Sequence, residues 1–330
     1  GAELYLVSYD GYFVNAGQAI EWLLEQNIDI ISHSAGNSVG PRDGSSPWAV
    51  TVDEATAQGV LWVNSAGNAA EIHYRDVFTD QDQDGFHEFA TDQEIMSLRR
   101  DPLALSDEPV VIVLNWDDWE AADQDYELLL LNQDGEELAA SRFQQAGKSG
   151  DEPIEYLEYE LPADDVAYIS IWAYDADKVV TFDLFVQNAE IEFHTPEHSL
   201  TIPADAQGAL SVGAVNWWSD GIAEYSSQGP TDDGRFKPDI SAPTGVTNIT
   251  YGTFHGTSAS APHVAGAAAL AWSAQPDLSR DELVTYLKEN SLDLGADGVD
   301  NAYGWGRLQL PDSQTRPLWQ RPRQQRHLQR

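Results

Sequence analysis

His255-Gly256-Thr257-Ser258-Ala259-Ser260-Ala261-Pro262-His263-Val264-Ala265-Gly266 sets a serine among small residues at the start of an apolar, alanine-rich stretch. The stretch from Ser258 to Trp272 reads as a helix. A helix N-terminus presents unpaired backbone N–H groups and a partial positive charge. A hydroxyl there is well placed for acyl transfer, because its own N–H can help hold a developing oxyanion. Gly256 allows close backbone approach. The plainer reading of a Gly-Thr-Ser tripeptide is a serine N-cap on a core helix, and the tripeptide leaves both readings open.

On either side of this stretch the texture is α/β. Ala209–Val215 reads as a strand, and Ser279-Arg-Asp-Glu282 as a capping box opening a helix that runs to about Glu289. At the other end of the chain, Ala2–Val7, Ile28–Ser32 and Val60–Val63 read as short apolar strands, with helical spacing over Gly17–Gln26 and Val50–Gln58. Strands alternating with helices of this length imply right-handed βαβ units and a parallel sheet.

Between these pieces strand-like runs dominate: Val110–Asn115, Tyr126–Leu131, Ile154–Leu161, Tyr168–Tyr174 and Thr181–Val186. Asp134-Gly135 marks a hairpin turn between Leu131 and Leu138, and the alternation places Tyr168, Ser170, Trp172 and Tyr174 on one face. Neither α/β piece has enough strands alone. The expected organisation is therefore one α/β unit, 1–70 and 200–310, with helices on both faces of a parallel sheet. It is interrupted at 71–199 by an inserted all-β sandwich of jelly-roll-like texture. Residues 311–330 carry five arginines against the single acid Asp312 and read as a disordered basic tail.

The chain has 330 residues, 17 basic against 55 acidic, for a net charge of −38. A field of that sign repels nucleic acid and anionic lipid. With 42% hydrophobic residues and 11 Trp the chain is not an acidic disordered segment. No apolar run reaches the length of a membrane span. The absence of cysteine removes disulfides, thiol nucleophiles, Cys–zinc sites and iron–sulfur clusters. Only 4 of the basic residues are lysine, which suggests either a high-salt setting or an ordinary acidic extracellular protein. The acid excess is concentrated in 71–199, with 33 acids against 6 bases.

Gly256-Thr-Ser-Ala-Ser-Ala-Pro-His-Val-Ala-Gly266 closely resembles the nucleophile segment of the subtilisin-like serine proteases, the subtilases. Further landmarks follow in that family's order. They are Ile30-Ile-Ser-His-Ser-Ala-Gly36, Leu61-Trp-Val-Asn-Ser-Ala-Gly-Asn68, Ser211-Val-Gly-Ala-Val215, Tyr225-Ser-Ser-Gln-Gly-Pro230, Lys237-Pro-Asp-Ile-Ser-Ala-Pro243 and Tyr303-Gly-Trp-Gly-Arg307. The resemblance implies a subtilisin-like fold and a secreted serine endopeptidase acting on protein or peptide, with no cofactor needed for catalysis. It implies that Ser258 is the nucleophile and that the Asn68 amide donates to the oxyanion. It assigns Ser34, Ala35 and Gly36 to the edge that pairs with extended substrate backbone, and Ser65, Ala66 and Gly67 to the opposite wall of the specificity pocket. For Asn68 alone, a left-handed turn after a strand is the competing reading; for the two triplets it is strand-end packing.

The nucleophile needs an imidazole to take its proton and a carboxylate to orient that imidazole. In the family these come from Asp-Ser/Thr-Gly and His-Gly-Thr-His segments, and neither string occurs in this sequence. Asp10-Gly11 lies too far along to be the first of them, and His33 falls inside the substrate-edge match. His263 reads as a buried structural histidine on the nucleophile's own helix. The expectation is a fragment that lacks the Asp and His motifs and is inactive alone. Two departures from the family pattern stand out: Ala259 where it usually has Met, and Pro243-Thr-Gly245 in place of Pro-Gly.

Asp80-Gln-Asp-Gln-Asp-Gly85 resembles the start of a calcium loop, with Asp80, Asp82 and Asp84 as candidate ligands of a structural Ca2+. The twelfth position is Thr91 rather than Glu, so a full EF-hand loop is absent, and an acidic surface turn is the competing reading. Two non-enzymatic alternatives accompany the protease reading. One is a peptide-binding pseudoprotease. The other is an adhesin whose sandwich binds glycan through Trp116, Trp119 and Trp172, residues that are otherwise sandwich core.

Overall fold

The computed structural model of the chain describes residues 2–9, 13–103, 108–250 and 252–311. The expected tail at 311–330 lies, after Pro311, outside the described residues. The chain enters the fold through α1 (Phe13–Glu25) and β1 (Ile30–His33), then α2 (Pro47–Ala57) and β2 (Leu61–Ser65). Ser46 starts α2 by accepting the Ala49 N–H at 3.1 Å, and Pro47, whose missing N–H costs nothing there, takes the first helical position.

Nine strands follow before the α/β texture returns: β3 (His73–Val77), β4 (Met96–Arg100), β5 (Val110–Trp116), β6 (Asp125–Leu131), β7 (Glu137–Ser141), β8 (Ile154–Tyr159), β9 (Val166–Asp175), β10 (Thr181–Gln187) and β11 (Ala189–Ile191). They form two antiparallel sheets, ordered β3-β10-β5-β8 and β11-β4-β9-β6-β7. The apolar core between them is built from alternate residues: Ile112, Leu114 and Trp116 from β5 meet Ala167, Ile169 and Ile171 from β9. The turn expected at Asp134-Gly135 is present, with Gly135 at φ 77° and its N–H on Asn132 O at 3.1 Å. Tyr168, Ser170, Trp172 and Tyr174 share the outward face of β9, opposite the core residues. Trp116 is not a surface residue: it is 1% exposed inside the core, because Val110–Trp116 alternates inward through its last position. Trp172 is half-buried and stacks on Phe86, and Trp119 is also half-buried, so none of the three offers an open platform for a glycan.

The chain then adds β12 (Leu210–Asn216), β13 (Ile240–Thr244), a short hairpin of β14 (Val246–Asn248) and β15 (Gly252–Phe254), and two helices, α3 (Thr257–Ala274) and α4 (Arg280–Glu289). The expected Ser279–Glu282 capping box opens α4. The parallel sheet is ordered β1-β2-β12-β13, so strands far apart in sequence become neighbours. β2 explains why helices cover both faces. Leu61 and Val63 pack with Val212, Ala261 and Val264 on one side, and Trp62 packs with Ile20, Ala49 and Val52 on the other. All five β2 residues are buried, as a central parallel strand requires.

The expected strand at Ala2–Val7 is absent. Residues 2–9 form no ladder, and Leu4 and Leu6 are 90% and 96% exposed. Apolar composition marks a strand only where a partner edge accepts it. β1 stands at the end of the sheet order and pairs only with β2 among the described residues. No helix among the described residues is long and apolar enough to cross a membrane.

One buried ion network joins the two layers of architecture. Asp183 on β10 takes Arg42 at 2.5 Å, Arg75 at 2.7 Å and His73 at 2.8 Å, while Arg75 also reaches Asp232 at 3.0 Å. Arg42 lies over the Phe185 ring at 4.9 Å. Burial alone would raise the Asp183 pKa, but Arg42, His73 and Arg75 overcome it and hold the carboxyl well below its usual 3.8. A depressed folded-state pKa contributes stability that is present above the unfolded value and lost as pH falls below it. Asp183→Asn, which leaves the buried Arg42 guanidinium without its anion and half-buried Arg75 with Asp232 alone, should cost roughly 3–5 kcal/mol in urea unfolding at neutral pH. The wild-type advantage should shrink as pH drops below 3.8.

Candidate active site

The C-terminal ends of β1 and β2 and the N-terminus of α3 meet on one rim of the parallel sheet. The N-cap of α3 is Gly256, at φ 105° with no side-chain cap bond, so Ser258 is the second helical residue and not the cap. Its side chain is half-buried. Ser258 Oγ donates to Ser34 O at 3.2 Å and Ser34 Oγ donates to Ser258 O at 3.2 Å. The Ser258 N–H belongs to the first turn and has no acceptor among the described residues.

Asn68 is exposed between buried Gly67 and Ala69. The positive φ belongs to Gly67, at 114°, and not to Asn68. Asn68 Oδ1 accepts the Thr257 N–H at 2.9 Å and the Thr257 hydroxyl at 3.0 Å. Two donors on Oδ1 fix the amide's orientation and turn Nδ2 the other way. A Cβ on Gly256 would stand 3.2 Å from Asn68 Nδ2 and 3.6 Å from the Ser258 nitrogen. Glycine at 256 therefore keeps open the small space that these two N–H donors share. Two fixed donors beside a half-buried hydroxyl form an arrangement suited to a developing oxyanion.

The two triplets assigned to substrate differ in kind. Ser34, Ala35 and Gly36 are exposed, and the N–H groups of Ala35 and Gly36 and the Gly36 carbonyl make no hydrogen bond among the described residues. They form a short unpaired backbone edge running away from Ser258. Gly36 is there because a Cβ would collide with Thr201 Oγ1 at 2.2 Å. Ser65, Ala66 and Gly67 are buried, and their neighbours use the main chain fully: Ala66 N bonds Val212 O, Ala66 O takes Thr201 N, Gly67 N bonds Thr257 Oγ1 and Gly67 O takes Ser227 N. They make a wall and offer no free pairing edge.

His33 Nδ1 faces Asn64 Oδ1 at 2.7 Å, a pure acceptor, so Nδ1 carries the proton and Nε2 accepts the Tyr9 hydroxyl at 2.8 Å. Burial lowers the His33 pKa, with the Asn64 bond opposing it. His263 is exposed, contrary to the buried position expected from the sequence, and bonds Ala259 O on its own helix at 2.7 Å. The reason is that the α3 face carrying Pro262, His263, Gly266 and Leu270 is uncovered among the described residues. No imidazole or carboxylate among the described residues hydrogen-bonds Ser258.

Asp80, Asp82 and Asp84 present carboxylate oxygens within 4.8 Å of one another. That separation fits the coordination sphere of one calcium ion, whose oxygens lie about 2.3–2.6 Å from the metal. Part of the capacity is spent within the loop: Asp80 accepts the Gln83, Asp84 and Gly85 N–H groups, and Asp84 accepts that of Phe86. Glu94 feels the cluster, its pKa raised by desolvation and then by Asp84, Asp82, Glu88 and Asp80.

Sequence reasoning missed Thr257, Tyr225 and Thr244. Thr257 Oγ1 donates to Asn68 and accepts from Gly67 N at 3.2 Å, so it positions the amide. The Tyr225 hydroxyl accepts the Gly256 N–H at 2.9 Å and meets Thr244 Oγ1 at 2.9 Å. Thr244 Oγ1 in turn reaches Gly256 O at 3.2 Å. These contacts span 12 to 190 residues, and no local pattern announces them.

Comparison with known proteins agrees with this layout. Residues 1–90 and 188–306, well over half the chain, match the Peptidase S8 subtilase family. The chain is 44% identical over 66 residues to an extracellular serine protease of Serratia marcescens, covering 20% of this chain and 6% of the relative. It is 35% identical over 141 residues to serine protease AprX of Bacillus subtilis strain 168, covering 35% of this chain and 31% of the relative. The chain thus spans a minor part of the length of both relatives. Among solved structures, the CspB protease of Clostridium perfringens superimposes with a TM-score of 0.65 at 18% identity, over 89% of this chain and 69% of that one.

Proposed function

Because the chain belongs to the subtilase family, we propose that it carries the nucleophile, the oxyanion donors and the substrate edge of a subtilisin-type serine endopeptidase. Ser258 Oγ attacks the scissile carbonyl. Asn68 Nδ2 and the Ser258 N–H receive the oxyanion, an effect worth about 10²–10³ in rate per donor. The peptide backbone pairs with Ala35 and Gly36, adding a strand to the open edge. The C–N bond breaks, the amine leaves with the serine's proton, and water hydrolyses the acyl ester. Supporting this reading is the convergence of two unpaired N–H donors and an unpaired backbone edge on one hydroxyl.

The proton needs an imidazole, and the family's Asp-Ser/Thr-Gly and His-Gly-Thr-His strings are absent from these 330 residues. Taken alone, the chain is therefore a peptide-binding body that does not hydrolyse at an enzyme's rate. A pseudoprotease reading shares this groove, and the bond from Ser258 Oγ to the Ser34 carbonyl favours it for the isolated chain. The purified 330-residue chain should leave casein uncleaved; casein cleavage that Ser258→Ala abolishes would contradict the proposal.

The extracellular relative and the acid excess support a secreted protein working on protein or peptide in a salty exterior. We assign Asp80, Asp82 and Asp84 to a structural calcium ion, on the strength of their carboxylate spacing. Calorimetric titration of the full chain with CaCl2 should show binding heat that Asp82→Asn removes. Equal heats from the two proteins would exclude this loop.

A further inference from the structure

Two tryptophans stand in the open on the far side of Ser258. Trp217 and Trp218 follow β12, are 59% exposed each, and pack edge to face with ring centroids 6.0 Å apart. Exposed indoles side by side are unusual, since such surface is normally buried or used. Nothing in the fold's core needs them there. Their position is held from beneath. A Cβ on Gly245, which sits at φ 71°, would stand 2.8 Å from Trp218 Cζ3 and 3.2 Å from His255 Cε1. The glycine thus lets the Trp218 ring and the exposed His255 ring come together over the backbone at Gly245.

The departure seen in the sequence, Pro243-Thr-Gly245, runs from the end of β13 into this turn. Buried Thr244 bonds the Tyr225 hydroxyl and the Gly256 carbonyl, tying the loop under Trp218 to the N-cap of α3. The shelf and the nucleophile are one mechanical unit.

The side of the cleft follows from the strand order. Ala35 and Gly36 follow β1, at one end of β1-β2-β12-β13; Trp217 and Trp218 follow the inner strand β12 and Gly245 follows β13, both beyond β2 from that end. The start of α3 is tied to the end of β2, between them, through Thr257 and Asn68. A peptide whose acyl half lies on Ala35 and Gly36 must therefore carry its leaving half past Ser258 toward the tryptophans.

We propose that Trp217, Trp218 and His255 form a specificity shelf for the leaving-group half of the substrate, receiving an aromatic or aliphatic side chain immediately after the scissile bond. The inference rests on the peptide-cleft reading above. Apolar contact and edge-to-face stacking supply the preference.

Two labelled peptides test it on the full chain by fluorescence anisotropy: an acyl-half peptide ending in a free carboxylate, and a leaving-half peptide beginning with Phe. Trp217→Ala/Trp218→Ala should weaken the leaving-half peptide about tenfold and leave the acyl-half within about twofold. It should also erase the preference for Phe over Gly at the first position, and Trp218→Phe should restore most of it. Because both indoles are exposed, the thermal midpoint should not move. An unchanged Phe-to-Gly ratio would overturn the shelf. So would concentration-dependent self-association that the double variant abolishes, since the occupant is then a second copy. Failure of the acyl-half peptide to bind the wild type would strike the cleft reading beneath it.

Discussion

The site depends on one hydroxyl. Thr257 Oγ1 donates to Asn68 Oδ1 and accepts the Gly67 N–H, while its backbone N–H takes Asn68 Oδ1 as well. These bonds join the end of a central strand to the start of α3, 189 residues later in the chain. They leave Thr257 1% exposed, where an unmade bond would carry its full desolvation cost. Without them the Asn68 amide could turn its oxygen toward the cleft, and the space beside Gly256 would lose one of its two donors.

The rest of the fold can be read as support for that junction. The β2 strand is buried on both faces, so its end cannot wander. Alanine at many positions of α3 lets the helix lie close on β2, β12 and β13. Glycine at 36, 67 and 256 is required because each faces a side chain at less than ordinary contact distance. The Asp183 network attaches the antiparallel sheets to the loop carrying Arg42, between the open edge and α2, so the acidic part of the chain is fastened to the parallel-sheet layer through buried Arg42 and through Arg75, which reaches Asp232.

What the sequence made legible was periodicity and motif. The five runs read as sandwich strands all became strands, because alternation survives burial between two sheets. Three of the four parallel strands, the helices and the capping box at Ser279 were equally readable; β13 had entered only as a family landmark. Two readings failed for one shared reason, that burial is a tertiary property. Residues 2–7 had strand composition but no partner edge. His263 lay on the helical face that is left uncovered. For Trp116 the core reading, rather than the glycan-binding one, is what the structure bears out. Thr257, Tyr225 and Thr244 stood inside quoted motifs but were given no positioning role, because their partners lie in other segments. The Asn68 and Ser258 assignments came from the resemblance of two separate segments to one family, and the fold brings those segments together.

The central claim is that Ala35 and Gly36 are an unpaired edge that receives peptide backbone beside Ser258. Amide hydrogen exchange read by NMR on the 330-residue chain tests it directly. Both N–H groups should exchange without protection in the free chain, and saturation with an extended peptide should protect them together with the Asn68 side-chain amide. Protection already present in the free chain, or a bound peptide that protects other amides and leaves these two unchanged, would contradict the account.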